Sequence, residues 1–151
     1  MTSLINKFYS IIESIQNIIR WFPIIWQDKD FDFGYVYRIL YFKFKNMEEF
    51  FRSENAWSAN SIKDANRIKV AKNLAKRLSE SNHLENAMMF YNKKYGDKKI
   101  MTIENGWVVW TKDKKMMDAF EKCGKHSEYM EKQDKEFLFD YLKKYSDRWW
   151  D

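Results

Sequence analysis

The chain has 151 residues, a mass of 18.6 kDa, a net charge of +5 and a pI near 9.1. With 45% apolar residues it is not a disordered chain, and one Cys excludes both an internal disulfide framework and a multi-cysteine zinc site. One Pro and four Gly favour long helices, and the basic balance excludes an acidic mimic of DNA.

Ser3 caps a first helix in which Leu4, Ile5, Phe8, Ile11, Ile12, Ile15, Ile18 and Ile19 recur at helical spacing. Pro23 is expected to end it, because proline disfavours the helical region in the residue before it. The helix is rich in β-branched residues, so burial must stabilise it; its polar face lacks the Lys/Arg density of a membrane-surface helix. Lys7, Glu13 and Arg20 interrupt the apolar stretch, which speaks against a secretory signal and against a membrane span.

An apolar connector, Phe22 to Trp26, leads to Asp28, Asp30 and Asp32. Three alternate acids suggest a calcium loop, but the EF-hand pattern also needs Gly at loop position six and Glu at position twelve. Counted from Asp28 those positions hold Phe33 and Ile39. The acids are better read as caps for a second helix from about Phe33 to Arg52. Apolar residues surround much of that helix, which marks it as central to the fold or as a homo-oligomer interface.

Asn60 or Ser61 caps a third helix with a narrow stripe of Ile62, Ala65, Ile68, Ala71, Leu74, Ala75 and Leu78. Its other side carries Lys63, Arg67, Lys69, Lys72, Lys76 and Arg77, the best basic face in the chain. Such a face is either a solvated helix surface or a holder of phosphates and acids. Asn82 opens a short fourth helix that ends near Gly96. Asn105-Gly106 between apolar runs predicts a hairpin near 100–111, with Trp107 and Trp110 seeking a surface to pack on. Asp113 caps a fifth helix to about Lys122, Gly124 marks a break, and a sixth helix runs from about Ser127 to Trp149. The fold class is mainly α: a compact bundle of about six helices with one small β-hairpin, in a single domain over 1–151.

Little in the chain points to catalysis. Cys123 and His126 stand three residues apart with no orienting acid, and the chain has only one further His, His83. There is no G-x-G-x-x-G and no Walker pattern, so no phosphate loop. The expectation is a protein that is not an enzyme and that needs neither cofactor nor metal.

Two segments carry a resemblance. Trp21-Phe22-Pro23-Ile24-Ile25-Trp26-Gln27-Asp28-Lys29-Asp30-Phe31-Asp32 resembles the start of a group of small uncharacterised tailed-phage proteins with a Pro-Ile-Ile-Trp-x-Asp-x-Asp-x-Asp segment. Their C-termini end in Trp-Trp-Asp after a helix, as Trp149-Trp150-Asp151 does here. The Gly124-Lys125-His126 stretch before the final helix is similar too. The resemblance covers about a third of the chain and implies a phage origin and a place in the host bacterial cytoplasm, without naming a chemistry.

The function expected from this is a bacteriophage accessory protein that counters a host antiviral defence. It would bind a defence protein or sequester a nucleotide second messenger. The residues expected to do so are Lys69, Lys72, Lys76 and Arg77, with Trp107 and Trp110: aromatic faces stack bases, and Lys and Arg hold phosphates. Charge reversal at the four basic positions is expected to leave the fold intact. The alternatives are a nucleic-acid-binding phage protein or a homo-oligomeric assembly component. Trp149 and Trp150 are expected to dock near Trp21 and Trp26.

Overall fold

The computed structural model describes residues 2–28, 32–56, 58–96, 101–104 and 107–149, without the side chains of 2–5, 90 and 101–109. The protein is mainly α, with five α-helices among the described residues. They are α1 (Thr2–Ile25), α2 (Gly34–Arg52), α3 (Ser61–Glu80), α4 (His83–Tyr95) and α5 (Lys114–Tyr145), and a 3-10 turn (Ser146–Trp149) follows α5. The backbones of β1 (Met101–Glu104) and β2 (Trp107–Trp110) pair antiparallel, Met101 opposite Trp110 and Glu104 opposite Trp107. The Asn105-Gly106 turn lies outside the described residues.

Five helices stand where six are expected because Gly124 does not break α5. A helix-interior glycine costs roughly 1 kcal/mol relative to alanine. Both flanks of Gly124 are anchored, and this outweighs the local cost. On its N-terminal side Met116 is buried with Tyr91 of α4, and Cys123, Phe120 and Met117 pack on them. On its C-terminal side Leu138 is buried with Ile68, Ala71, Leu74 and Leu78 of α3. At 32 residues α5 is about 48 Å long, enough to serve both clusters.

The larger cluster forms where α2 meets α3, the most extensive helix pair. Ala65, Ala71 and Ala75 have no exposed surface and let the two helices approach closely. Tyr37 and Phe44 of α2 and Trp149 of the 3-10 turn complete the cluster. The helix ends use the expected residues in part. Asp113 accepts hydrogen bonds from the Lys115 and Met116 amides at 3.0 and 3.3 Å and so caps α5. Asp32 accepts one from the Gly34 amide at 2.9 Å at the start of α2. Asp30 lies outside the described residues. Ser81, at φ 50°, turns the chain left-handed between α3 and α4.

α1 departs most from expectation. It runs through Pro23 to Ile25 and is not buried. Phe8, Ile11, Ile15, Ile18, Ile19 and Phe22 are each at least 51% exposed. It joins the rest of the protein at its C-terminal end. There the Trp21 ring meets Phe42 edge-on at 4.9 Å and the Tyr35 hydroxyl donates to the Ile24 carbonyl. Among the described residues no helix is long and apolar enough to cross a membrane.

Candidate functional site

The basic residues of α3 divide into those bound to internal carboxylates and those that are not. Lys72 Nζ donates to Glu48 Oε2 of α2 at 2.5 Å, while Arg52 Nε donates to Oε1 of the same carboxylate at 3.0 Å. Arg77 Nε and Nη2 donate to the two oxygens of Asp134 in α5 at 2.8 and 2.6 Å. Lys76 pairs with Glu80 at 3.6 Å on the exposed side of α3. Lys69 is exposed and has no ion pair among the described residues. Two of the four expected binding cations therefore tie α3 to its neighbours. Charge reversal there removes two inter-helix ion pairs, so the fold is not expected to survive it intact. Lys69 is the member of the set that can be changed cleanly.

Of the two tryptophans, Trp110 is 50% exposed with its ring centroid 6.4 Å from that of Phe120 in α5. The Trp107 side chain lies outside the described residues. No hydrogen bond, ion pair or ring contact joins Trp110 to Lys69, Lys72, Lys76 or Arg77 among the described residues.

Glu48 carries a pH dependence. Burial pushes its carboxyl up, but hydrogen bonds from Lys72 and Arg52, with their positive charges, outweigh burial and hold it below the ordinary glutamate value of 4.5. A carboxyl lowered on folding stabilises fully above the unfolded-state value, and that contribution is lost as pH falls through the lowered one. Glu48→Gln is expected to cost about 1–2 kcal/mol at neutral pH, since Lys72 and Arg52 are partly exposed. The gap between variant and wild type should close as pH falls below 4.5 and through the lowered value of Glu48. Thermal melts of both proteins across that range check it.

Asp134 is the other charged hub. Its side chain is 8% exposed, and besides Arg77 it takes His83 Nε2 at 2.9 Å on Oδ2. A carboxylate only accepts, so Nε2 of His83 carries the proton. The Nδ1 atom of that ring is buried without a partner among the described residues. Cys123 packs in the α4–α5 cluster while His126 is exposed, and no hydrogen bond joins them. Among the described residues no group of three His, Cys, Asp or Glu is placed to hold a metal.

Sequence reasoning missed a groove of about 360 Å³ lined by Arg20, Lys43, Asn46, Met47, Phe50, Phe51 and Trp149. Three segments build it. α2 supplies Lys43, Asn46, Met47 and Phe50 at i, i+3, i+4 and i+7, which is one helical face. Trp149 arrives from the 3-10 turn and is buried against Phe44, ring centroids 6.0 Å apart. Arg20 comes from the last turns of α1. The floor is apolar, and Phe50 is half exposed on it. Arg20 and Lys43 are exposed and have no ion pair among the described residues. Such a groove suits an apolar side chain with a negative group beside it. Met47, Phe50 and Phe51 were legible as part of the apolar surface of the second helix, but nothing local linked them to Lys43, Arg20 or Trp149.

A second, polar cleft of about 230 Å³ lies at the start of α3, lined by Ser58, Asn60, Lys63, Asp64, Arg67 and Arg148. Its charge is partly internal: Arg67 donates to the buried Asp64 at 2.8 Å and its guanidinium lies 4.8 Å from the Tyr145 ring. Comparison with protein-family models, with curated proteins and with solved structures finds no match to this chain.

Proposed function

We propose that this is a non-enzymatic bacteriophage accessory protein that counters a host antiviral defence by binding a defence protein. The phage origin rests on the resemblance carried by Trp21–Asp32 and Trp149–Asp151. The observation that supports a protein partner is the groove between α1, α2 and the 3-10 turn. Its two rim cations are unspent, whereas Lys72 and Arg77 are neutralised inside the fold. Met47, Phe50, Phe51 and Trp149 offer a floor for one or two apolar side chains, and Arg20 and Lys43 offer a charge for an acidic neighbour. The partner segment is accordingly a short apolar and acidic stretch on the surface of the host protein. Sequestering a nucleotide signal fits less well, because the α3 cations expected to hold its phosphates are largely tied to carboxylates.

The test is native mass spectrometry of the tagged protein purified gently from a bacterial host. A co-purifying host protein that is lost from Arg20→Glu/Lys43→Glu, at unchanged melting temperature, is the expected result. The double reversal should weaken binding about 10–100-fold, on the scale of 1.4 kcal/mol per tenfold. Partner binding that survives the double variant removes the groove from the proposal. An added mass of a few hundred daltons, released on denaturation, would replace the protein partner with a small molecule. A steep loss of binding with salt would instead point to nucleic acid.

A further inference from the structure

We propose that α1 joins this chain to other copies of itself, its apolar face packing against the same face of the neighbouring α1 helices. The sequence of α1 has a seven-residue repeat that its exposed surface follows. Phe8, Ile15 and Phe22 fall at a positions and Ile11, Ile18 and Ile25 at d positions, with spacings that alternate between three and four. Ile12, Ile19 and Trp26 continue the same face at the e positions. All six a and d side chains are at least 51% exposed, and Trp26 is 75% exposed. A strict seven-residue apolar repeat is the pattern of helices that wind around one another. A helix that merely covers the core of its own chain has its apolar face buried there, and α1 does not.

The side of α1 that touches the body is the opposite one. Arg20, Trp21 and Ile24 occupy f, g and c positions, and they make the contacts with the groove, with Phe42 and with Tyr35. Anchoring by that side leaves the a, d and e face pointing away from the rest of the protein. The face holds no charged residue from Phe8 to Trp26; Glu13 and Arg20 both lie at f positions. Like charges therefore do not meet when identical faces pair.

Area favours the same occupant. Phe8, Phe22 and Trp26 each leave about 100 Å² in water at 54–75% exposure. With the isoleucines, mostly 51–66% exposed and at about 60–120 Å² for a whole aliphatic side chain, the face offers about 500–700 Å². That lies at or above the upper end of the largest apolar patch of a typical monomer, about 300–600 Å². It approaches the ~800 Å² that each partner contributes to a stable interface. Isoleucine at d, with Ile15 at a and an apolar e row, favours more than two helices. A lipid surface fits less well, because helices that lie on membranes carry Lys and Arg along the polar face. Here that face carries Lys7 and Arg20 as its basic residues, with Glu13 between them.

Sedimentation equilibrium of the full chain tests this. The expected result is a mass that is a multiple of 18.6 kDa for the wild type and for the polar-face control Asn17→Lys. Ile11→Asp/Ile18→Asp should return to a single copy with the near-ultraviolet circular dichroism of its aromatic core retained. Hydrogen exchange of the wild type gives an answer independent of the variants: the α1 amides should be protected more at high than at low protein concentration. A wild type of one copy at the highest soluble concentration overturns the proposal. So does an oligomer that survives Ile11→Asp/Ile18→Asp, or fast α1 exchange at every concentration. A single-copy wild type that floats with phosphatidylcholine vesicles would give the face to lipid instead.

Discussion

Asp134→Ala is expected to destabilise the protein by about 2–3 kcal/mol and to lower its melting temperature by roughly 5–10 °C. Asp134 lies in α5 and its carboxylate accepts from Arg77 of α3 and His83 of α4, so one side chain ties three helices together. Removing one partner of a buried ion pair costs about 3–5 kcal/mol, because the other is left without compensation. The lower figure applies because the Arg77 side chain is 57% exposed and can be solvated when the pair is broken. Asp134→Asn should be almost as damaging. Its amide has one acceptor oxygen and one donor nitrogen, and the site presents only donors, from Arg77 on both sides and from His83. Arg77→Ala should cost as much, about 2–3 kcal/mol, since it leaves the buried Asp134 carboxylate with His83 as its one remaining donor among the described residues. Urea melts of the three variants check these costs. An Asp134→Ala protein as stable as wild type would show that α3, α4 and α5 are held by apolar packing alone.

The same arrangement explains what could be read from the sequence. Helix boundaries follow from neighbours in the chain. The Asp113 cap, the end of α4 near Gly96, and the span of α2 to within one residue of its observed start at Gly34 were all legible. The break expected at Gly124 failed because its local cost is roughly 1 kcal/mol, while the anchors that offset it belong to α3 and α4. The basic side of α3 was legible as a face, but its use was not. The carboxylates that occupy Lys72 and Arg77 stand 24 and 57 positions away, and periodicity contains nothing about such pairs. α1 makes the same point from the other direction. Its apolar face was evident in the spacing of its isoleucines, yet spacing cannot say which surface covers that face. The groove was invisible for a related reason, since Arg20, Phe50 and Trp149 come from three separate segments.

Trp149→Ala should have the largest effect of any single change, about 3–4 kcal/mol. Loss of a buried aromatic ring costs about 3–5 kcal/mol, through lost transfer energy and the cavity left behind. The upper end is not reached because Trp149 sits beside an open groove into which neighbours can relax. Its ring is 6% exposed and stands edge-on to Phe44 in the cluster with Leu138 and Ile68. Trp26 gives the contrast. It is 75% exposed and its ring contact among the described residues is with Phe22, so within a single copy of the chain Trp26→Ala should leave stability within about 0.5 kcal/mol of wild type. Trp149, expected near Trp21 and Trp26, packs on Phe44 and shares a groove with Arg20, with no ring contact to Trp21 or Trp26 among the described residues, and Trp150 lies outside them. Trp149→Phe separates stability from recognition. A phenyl ring keeps an edge contact with Phe44 and removes an indole N–H that is buried without a partner among the described residues, so it should cost only about 1 kcal/mol. If the groove binds through its apolar floor and cationic rim, Trp149→Phe retains the partner and Arg20→Glu/Lys43→Glu loses it at wild-type stability. A Trp149→Ala protein with an unchanged melting temperature would show that the 3-10 turn is not part of the core, and the floor of the groove would go with it.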